Sequence, residues 1–91
     1  MFRANVAFMS EIKMFSTDPC PFCTQAKALL ESRGLSFEEI NLSKDPEGRA
    51  ELAARTGMMT FPQVFVGEEL IGGFTELQEA DRSGRLAELT A

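Results

Sequence analysis

Cys20 and Cys23 are the only two cysteines of the 91-residue chain, and they enclose Pro21 and Phe22 in a C-x-x-C arrangement. The residues before them, Glu11 to Phe15, read as a short strand with Ile12, Met14 and Phe15 apolar. The residues from Pro21 to Arg33 read as a helix, with Phe22, Ala26, Leu29 and Leu30 recurring on one face and Gly34 where a left-handed terminator belongs. A cysteine at the N-terminus of a helix meets unpaired backbone N–H groups and the positive end of the dipole, which favour thiolate over thiol. A second cysteine one turn further in is within disulfide reach and better shielded from solvent. The expected chemistry is thiol–disulfide exchange, with Cys20 attacking and Cys23 resolving.

Neighbouring residues act on that sulfur in opposite directions. Pro21 fixes φ at the first helical position and removes one N–H from the ring of donors around it. Asp18 would raise the thiol pKa if it pointed inward, so it is expected to face solvent. The Cys20 pKa should then lie below the roughly 8.5 of a free cysteine. Two other readings of the pair stay open at this point. A structural zinc site needs four ligands, and with no histidine and no third cysteine the chain would have to recruit carboxylates or a second subunit. Two inert core cysteines are the other, although a C-x-x-C at a strand-to-helix junction is more specific than cysteines scattered in a core.

Composition narrows the classes further. The chain has no histidine, which removes Cys-His and Ser-His-Asp nucleophilic sites and the histidine zinc proteases together. It has no tryptophan or tyrosine, so its eight phenylalanines are expected to carry the aromatic burial. The net charge of -5, with basic residues scattered from Lys13 to Arg85, offers no patch for a phosphate backbone, and nucleic-acid binding is excluded. No apolar run reaches the roughly 20 residues of a membrane span. Arg3 and Asn5 interrupt the short run before Met9, and that stretch lacks the length and cleavage pattern of a secretory signal. Two cysteines do not make the framework of a small secreted protein.

The elements that must hold the cysteines follow in order. Phe37 to Leu42 reads as a second strand. Asp45 is placed to cap a second helix, with Pro46 at its first position, Arg55 near its end and Gly57 beyond it. Gln63 to Val66 and Glu69 to Ile71 read as a hairpin around Gly67 and Glu68, closed by Gly72 and Gly73. Thr75 is expected to cap a last helix carrying Leu77 and Ala80, and Arg85 to Leu89 add a final turn after Gly84. The order β-α-β-α-β-β-α implies an α/β fold with a parallel first pair of strands and an antiparallel hairpin. Residues 1–8 are expected to be an extension outside the core, Met9 a possible alternative start, and residues 9–91 a single domain.

Over Glu11 to Leu89 the sequence resembles the glutaredoxins, small members of the thioredoxin-fold superfamily. Three segments carry the resemblance: Cys20-Pro21-Phe22-Cys23, Thr60-Phe61-Pro62-Gln63-Val64-Phe65 and Gly72-Gly73-Phe74-Thr75. It implies a four-stranded mixed sheet flanked by helices, and a cis peptide bond at Pro62 opposite the cysteines that leaves the Phe61 backbone free to pair with a substrate. Without the family, the bland reading of Pro62 is an edge-strand or turn proline before the hairpin. The resemblance also implies that glutathione is held by Thr17, Cys20, Phe22, Arg49, Thr60, Phe61, Pro62, Gly73, Phe74 and Thr75. Its γ-glutamyl end would meet backbone N–H groups at Gly73 to Thr75, a reasonable place for a carboxylate at a helix start. Read without the family, the glycines merely turn the chain and Thr75 merely caps.

Three positions depart from the common family pattern. Thr17 stands where many members have lysine, Thr75 where many have aspartate, and Phe22 where many have tyrosine. Arg49, at a family glutamine or arginine position, could replace the missing lysine as a carboxylate partner, or be a solvated helix arginine. Met58 and Met59 read as core packing beside the active-site loop or as part of a partner-binding rim. Glu38, Glu39, Glu68 and Glu69 read as a solvated rim with no catalytic part.

The resemblance implies a glutathione-dependent dithiol oxidoreductase of the cytoplasm, a monomer whose co-substrate is glutathione and whose partners are glutathionylated or disulfide-containing proteins, with no metal. Two alternatives come from other classes. A redoxin reduced by thioredoxin reductase would need no glutathione. A [2Fe-2S] carrier would use Cys20 from two subunits with two glutathiones, against which Pro21 and the competing Cys23 both argue.

Overall fold

A computed structural model describes residues 11–90, so the expected extension at residues 1–8 and the start at Met9 lie outside the described residues. The elements are β1 (Ile12–Ser16), α1 (Pro21–Ser32), β2 (Glu38–Asn41), α2 (Pro46–Thr56), β3 (Gln63–Val66), β4 (Glu69–Gly72), α3 (Phe74–Ser83) and α4 (Arg85–Leu89). The four strands form one mixed sheet in the order β2-β1-β3-β4. β1 runs parallel to β2, as the crossover through α1 requires, and antiparallel to β3, which pairs antiparallel with β4.

β1 alternates cleanly, with Ile12, Met14 and Ser16 buried and Lys13 and Phe15 partly exposed on the other face. The strand starts and ends one residue later than the apolar run indicated. Ser16 belongs to it because it pairs with Asn41 across the ladder and donates its hydroxyl to Glu39 Oε2 at 2.7 Å. Glu39 is therefore tied into the fold and not simply a solvated rim residue, since its carboxylate also pairs with Lys27 Nζ at 3.2 Å. β2, at the sheet edge, is mostly exposed.

The core is aliphatic. Ile12, Met14, Cys23, Ala26, Leu30, Val64, Val66, Ile71, Leu77, Ala80 and Leu86 form one buried cluster between the sheet and helices α1, α3 and α4. Each large member contributes about 1.5–3 kcal/mol by leaving water. The phenylalanines carry the aromatic burial only from the edge of this core: Phe37, Phe61 and Phe74 pack half-buried against the cluster, Phe15 and Phe65 are half-buried, and Phe22 is exposed. The face that α1 buries is Cys23, Ala26 and Leu30, at i, i+3 and i+7, so Phe22 is turned away from the core by about 100°.

The helix ends follow local chemistry. Asp45 caps α2, its Oδ1 accepting the Gly48 N–H at 2.9 Å, and Gly57 ends it in the left-handed conformation at φ 77°. Thr75 does not cap α3. The cap position is Gly73, whose N–H donates to Glu76 Oε1 at 2.8 Å, and Thr75 is already the second residue of the helix. The helix begins two residues early because a carboxylate at its third position reaches back to the cap, as in a capping box. Arg33 clasps Asp81 with Nε and Nη2 at 2.8 and 2.7 Å, joining the end of α1 to α3, and Arg85 pairs with Glu69.

Candidate active site

Cys20 occupies the cap position of α1, and its Sγ accepts the Cys23 N–H at 3.1 Å. This is the arrangement in which a helix N-terminus stabilises a thiolate, with a backbone donor aimed at the sulfur itself. Cys20 is partly exposed and Cys23 is 3% exposed, and the two are joined in a disulfide with Cα atoms 5.1 Å apart. The cysteine pair is thus an accessible sulfur and a sheltered one. Asp18 faces solvent, where its carboxylate accepts from Asn41 Nδ2 at 3.0 Å, and its N–H donates to Ser43 Oγ at 2.6 Å.

The loop before β3 is shaped by a buried glutamine. Gln63 is fully buried, and its Nε2 donates to the carbonyls of Met58 and Thr60 at 3.0 and 3.1 Å. Thr56 Oγ1 accepts the Met58 N–H at 3.1 Å from the end of α2. The Phe61–Pro62 peptide bond is cis, and so is Asp18–Pro19, which the sequence reading did not anticipate. A Cβ built on Gly73 would lie 3.5 Å from the Pro62 carbonyl oxygen, so the glycine pair lies directly against the proline loop. Gly72 has φ 124°, and a Cβ there would come within 2.9 Å of Glu76 Cγ, so this position needs glycine on both counts.

Several of the expected site residues converge. The rings of Phe22 and Phe74 stack with centroids 6.0 Å apart, joining the starts of α1 and α3. Through Phe22–Phe74 and Gly73–Pro62, the cysteine loop, the glycine pair and the proline loop form one surface. On it the first-turn N–H groups of Phe74 and Thr75 have no helical acceptor. The Gly73 N–H, expected to serve a ligand, is instead taken by Glu76.

Arg49 sits at the margin of this surface. Its Nη1 donates to the carbonyls of Leu42 and Ser43 at 2.6 and 2.8 Å, so it is neither free in solvent nor wholly available to a ligand. It nonetheless lines a groove of about 260 Å³ with Phe61, Ala50, Ala53, Met58 and Met59. Thr60 is exposed beside Phe61, and Thr17 is partly buried at the end of β1. Met58 is partly buried, but Met59 is 84% exposed, so the core reading fails for it.

Two supporting residues escaped the sequence reading. Glu76 was detectable from the Gly73-x-x-Glu76 spacing, which fits a cap and its third helical position. Gln63 offered no such signal, because a polar residue within an apolar run gives no hint of which carbonyls it will serve. Among the described residues, no group of three or more histidine, cysteine or acidic side chains is placed to hold a metal ion. No described helix is long and apolar enough to cross a membrane.

Comparison with known proteins agrees with this geometry. The family model described as Glutaredoxin matches residues 12–71. A glutaredoxin of Pseudomonas aeruginosa is 41% identical over 78 residues, covering 86% of this chain and 93% of its own length. The solution structure of a glutaredoxin from Brucella melitensis superimposes with a TM-score of 0.80 at 40% identity, over 90% of this chain and 89% of the other. A buckwheat glutaredoxin–glutathione complex superimposes at 0.82 with 31% identity, over 93% and 79%.

Proposed function

Because this chain belongs to the glutaredoxin family of thiol–disulfide oxidoreductases, we propose that it is a dithiol enzyme reduced by glutathione, acting on glutathionylated thiols and protein disulfides. The observation that carries the reading is Cys20 at the α1 cap, its sulfur already accepting a backbone N–H, with the sheltered Cys23 one turn away.

In the monothiol route the Cys20 thiolate attacks the glutathione sulfur of a mixed disulfide. The substrate sulfur leaves as a thiolate and takes a proton from solvent. A second glutathione thiolate then attacks the Cys20 adduct, giving oxidised glutathione and restoring the Cys20 thiolate. In the dithiol route Cys20 attacks a protein disulfide and Cys23 attacks the resulting mixed disulfide, releasing two substrate thiols and leaving Cys20–Cys23 oxidised. Two glutathiones return the pair to dithiols. The disulfide present in the structure corresponds to the oxidised end of this cycle.

Glutathione would lie with its γ-glutamyl carboxylate at the Phe74 and Thr75 N–H groups, where the α3 dipole is favourable. Its cysteinyl backbone would pair with Phe61 beside cis-Pro62, and Phe22, Thr60 and Thr17 would border it. Arg49 keeps Nε and Nη2 for the glycyl carboxylate. The buckwheat relative was solved with glutathione, which supports this assignment. A monomer in a reducing cytoplasm is the setting in which a glutathione-driven pair operates.

The test is glutathione-coupled reduction of a small glutathionylated disulfide, followed by NADPH oxidation through glutathione reductase, with Cys20→Ser as control. Turnover that disappears in the control establishes the activity. Failure of glutathione, together with reduction by thioredoxin reductase, would assign the chain to the alternative redoxin class.

A further inference from the structure

Among the described residues the large exposed apolar side chains are Phe22, at 56%, and Met59, at 84%, and both flank the redox surface. Phe22 is accounted for by its stacking on Phe74. Met59 lines the groove together with Arg49, Ala50, Ala53, Met58 and Phe61. The two alanines of α2 leave this groove open, where larger side chains on the same helix would fill it.

Exposed methionine beside an apolar recess is the composition of an adaptable binding surface, since the unbranched thioether repacks at little cost. We propose that Met59 and this groove receive an apolar side chain of a protein substrate lying next to the substrate's reactive cysteine. The proposal rests on the thiol–disulfide activity above and names the substrate class it favours: extended segments with an apolar residue flanking the cysteine.

The occupant follows from continuity. Phe61 borders cis-Pro62 on one side and lines the groove on the other, so a strand pairing with the Phe61 backbone carries its next side chain over the recess. Arg49 is the one charged residue of the lining, and its remaining donors favour a neutral or acidic segment over a basic one. Glutathione ends at its glycyl carboxylate and has no side chain to place there. Arg49 and Phe61 are shared with the glutathione site, whereas Met59 is not, so Met59 distinguishes protein substrates from one another without changing the reaction of glutathione itself.

The test uses the full chain carrying Cys23→Ser, in which Cys20 retains a mixed disulfide. It is exchanged against an equimolar mixture of two symmetric peptide disulfides that differ only in having leucine or serine on both sides of the cysteine. Mass spectrometry reads the ratio of the two adducts. An excess of the leucine adduct of about tenfold is expected. That excess should fall to near unity in Met59→Ser, an exposed position that the fold does not depend on, and in Ala53→Leu, which fills the groove from the helix side. Equal adducts in the parent, no adduct with either peptide, or an excess that survives both substitutions overturns the proposal. Turnover of the small mixed disulfide of glutathione and cysteine is measured in parallel and should be unchanged by Met59→Ser. Its absence in the parent would sink the glutathione reading alone, because the adduct ratio needs no glutathione.

Discussion

Cys20 and Cys23 differ in burial and in position on one helix turn, and this difference predicts how their variants separate. Cys20→Ser should abolish both routes. Cys23→Ser should keep reduction of glutathionylated substrates and lose reduction of protein disulfides, which parallel assays with the two substrates will show. Loss of both in the Cys23 variant would contradict the division of roles. In the reduced protein, thiolate absorbance should titrate below the roughly 8.5 of a free cysteine, because the helix terminus and the Cys23 N–H both favour the charged sulfur. Gly72→Ala should cost about 1–3 kcal/mol in denaturant unfolding, since alanine at φ 124° is strained and crowds Glu76. Arg49→Ala should raise the KM for glutathione, and no change would leave Arg49 with only its role of holding the Leu42 and Ser43 carbonyls.

The helix starts and stops were readable wherever a backbone requirement selects a residue type, as at Asp45-Pro46, Gly57 and Gly84. The cysteine junction was equally plain, because strand, proline and helix are all local. Burial was harder to read. Phe22 satisfied a helical apolar spacing, but the choice between two adjacent apolar faces of α1 is made by what the helix packs on, and the sheet selects the face holding Cys23. Thr75 had a capping residue's chemistry and lost the position to Gly73 because Glu76 supplies the reciprocal carboxylate. Glu76→Ala should accordingly destabilise the chain by about 0.5–2 kcal/mol and loosen the glycine pair, raising the KM for glutathione with it. A change in stability with no effect on KM would separate the cap from the site.

Across the whole molecule, Ser16, Glu39 and Lys27 join β1, β2 and α1 directly behind the cysteine loop. The Ser16 hydroxyl, and to a lesser degree the Lys27 ammonium, hold the Glu39 carboxyl below its ordinary value of 4.5, against partial burial and the nearby Asp18. Arg33 lowers Asp81 in the same way, chiefly through their hydrogen bond. A carboxyl with a lowered pKa in the folded state adds stability that is complete above its unfolded pKa and is lost as pH falls through the folded one. Thermal stability should therefore fall as pH drops below 4.5, and the deficit of Glu39→Gln relative to the parent should shrink over the same range. A deficit constant from neutral to acid pH would show that the carboxylate charge is not involved. The stacked pair of Phe22 and Phe74 has an optical consequence as well. With no tryptophan or tyrosine in the chain, its near-ultraviolet spectrum holds only weak phenylalanine bands and the disulfide. Phe22→Trp would place a single fluorophore two residues from Cys20, where disulfide quenching would make its emission brighten on reduction, a direct optical record of each turn of the redox cycle.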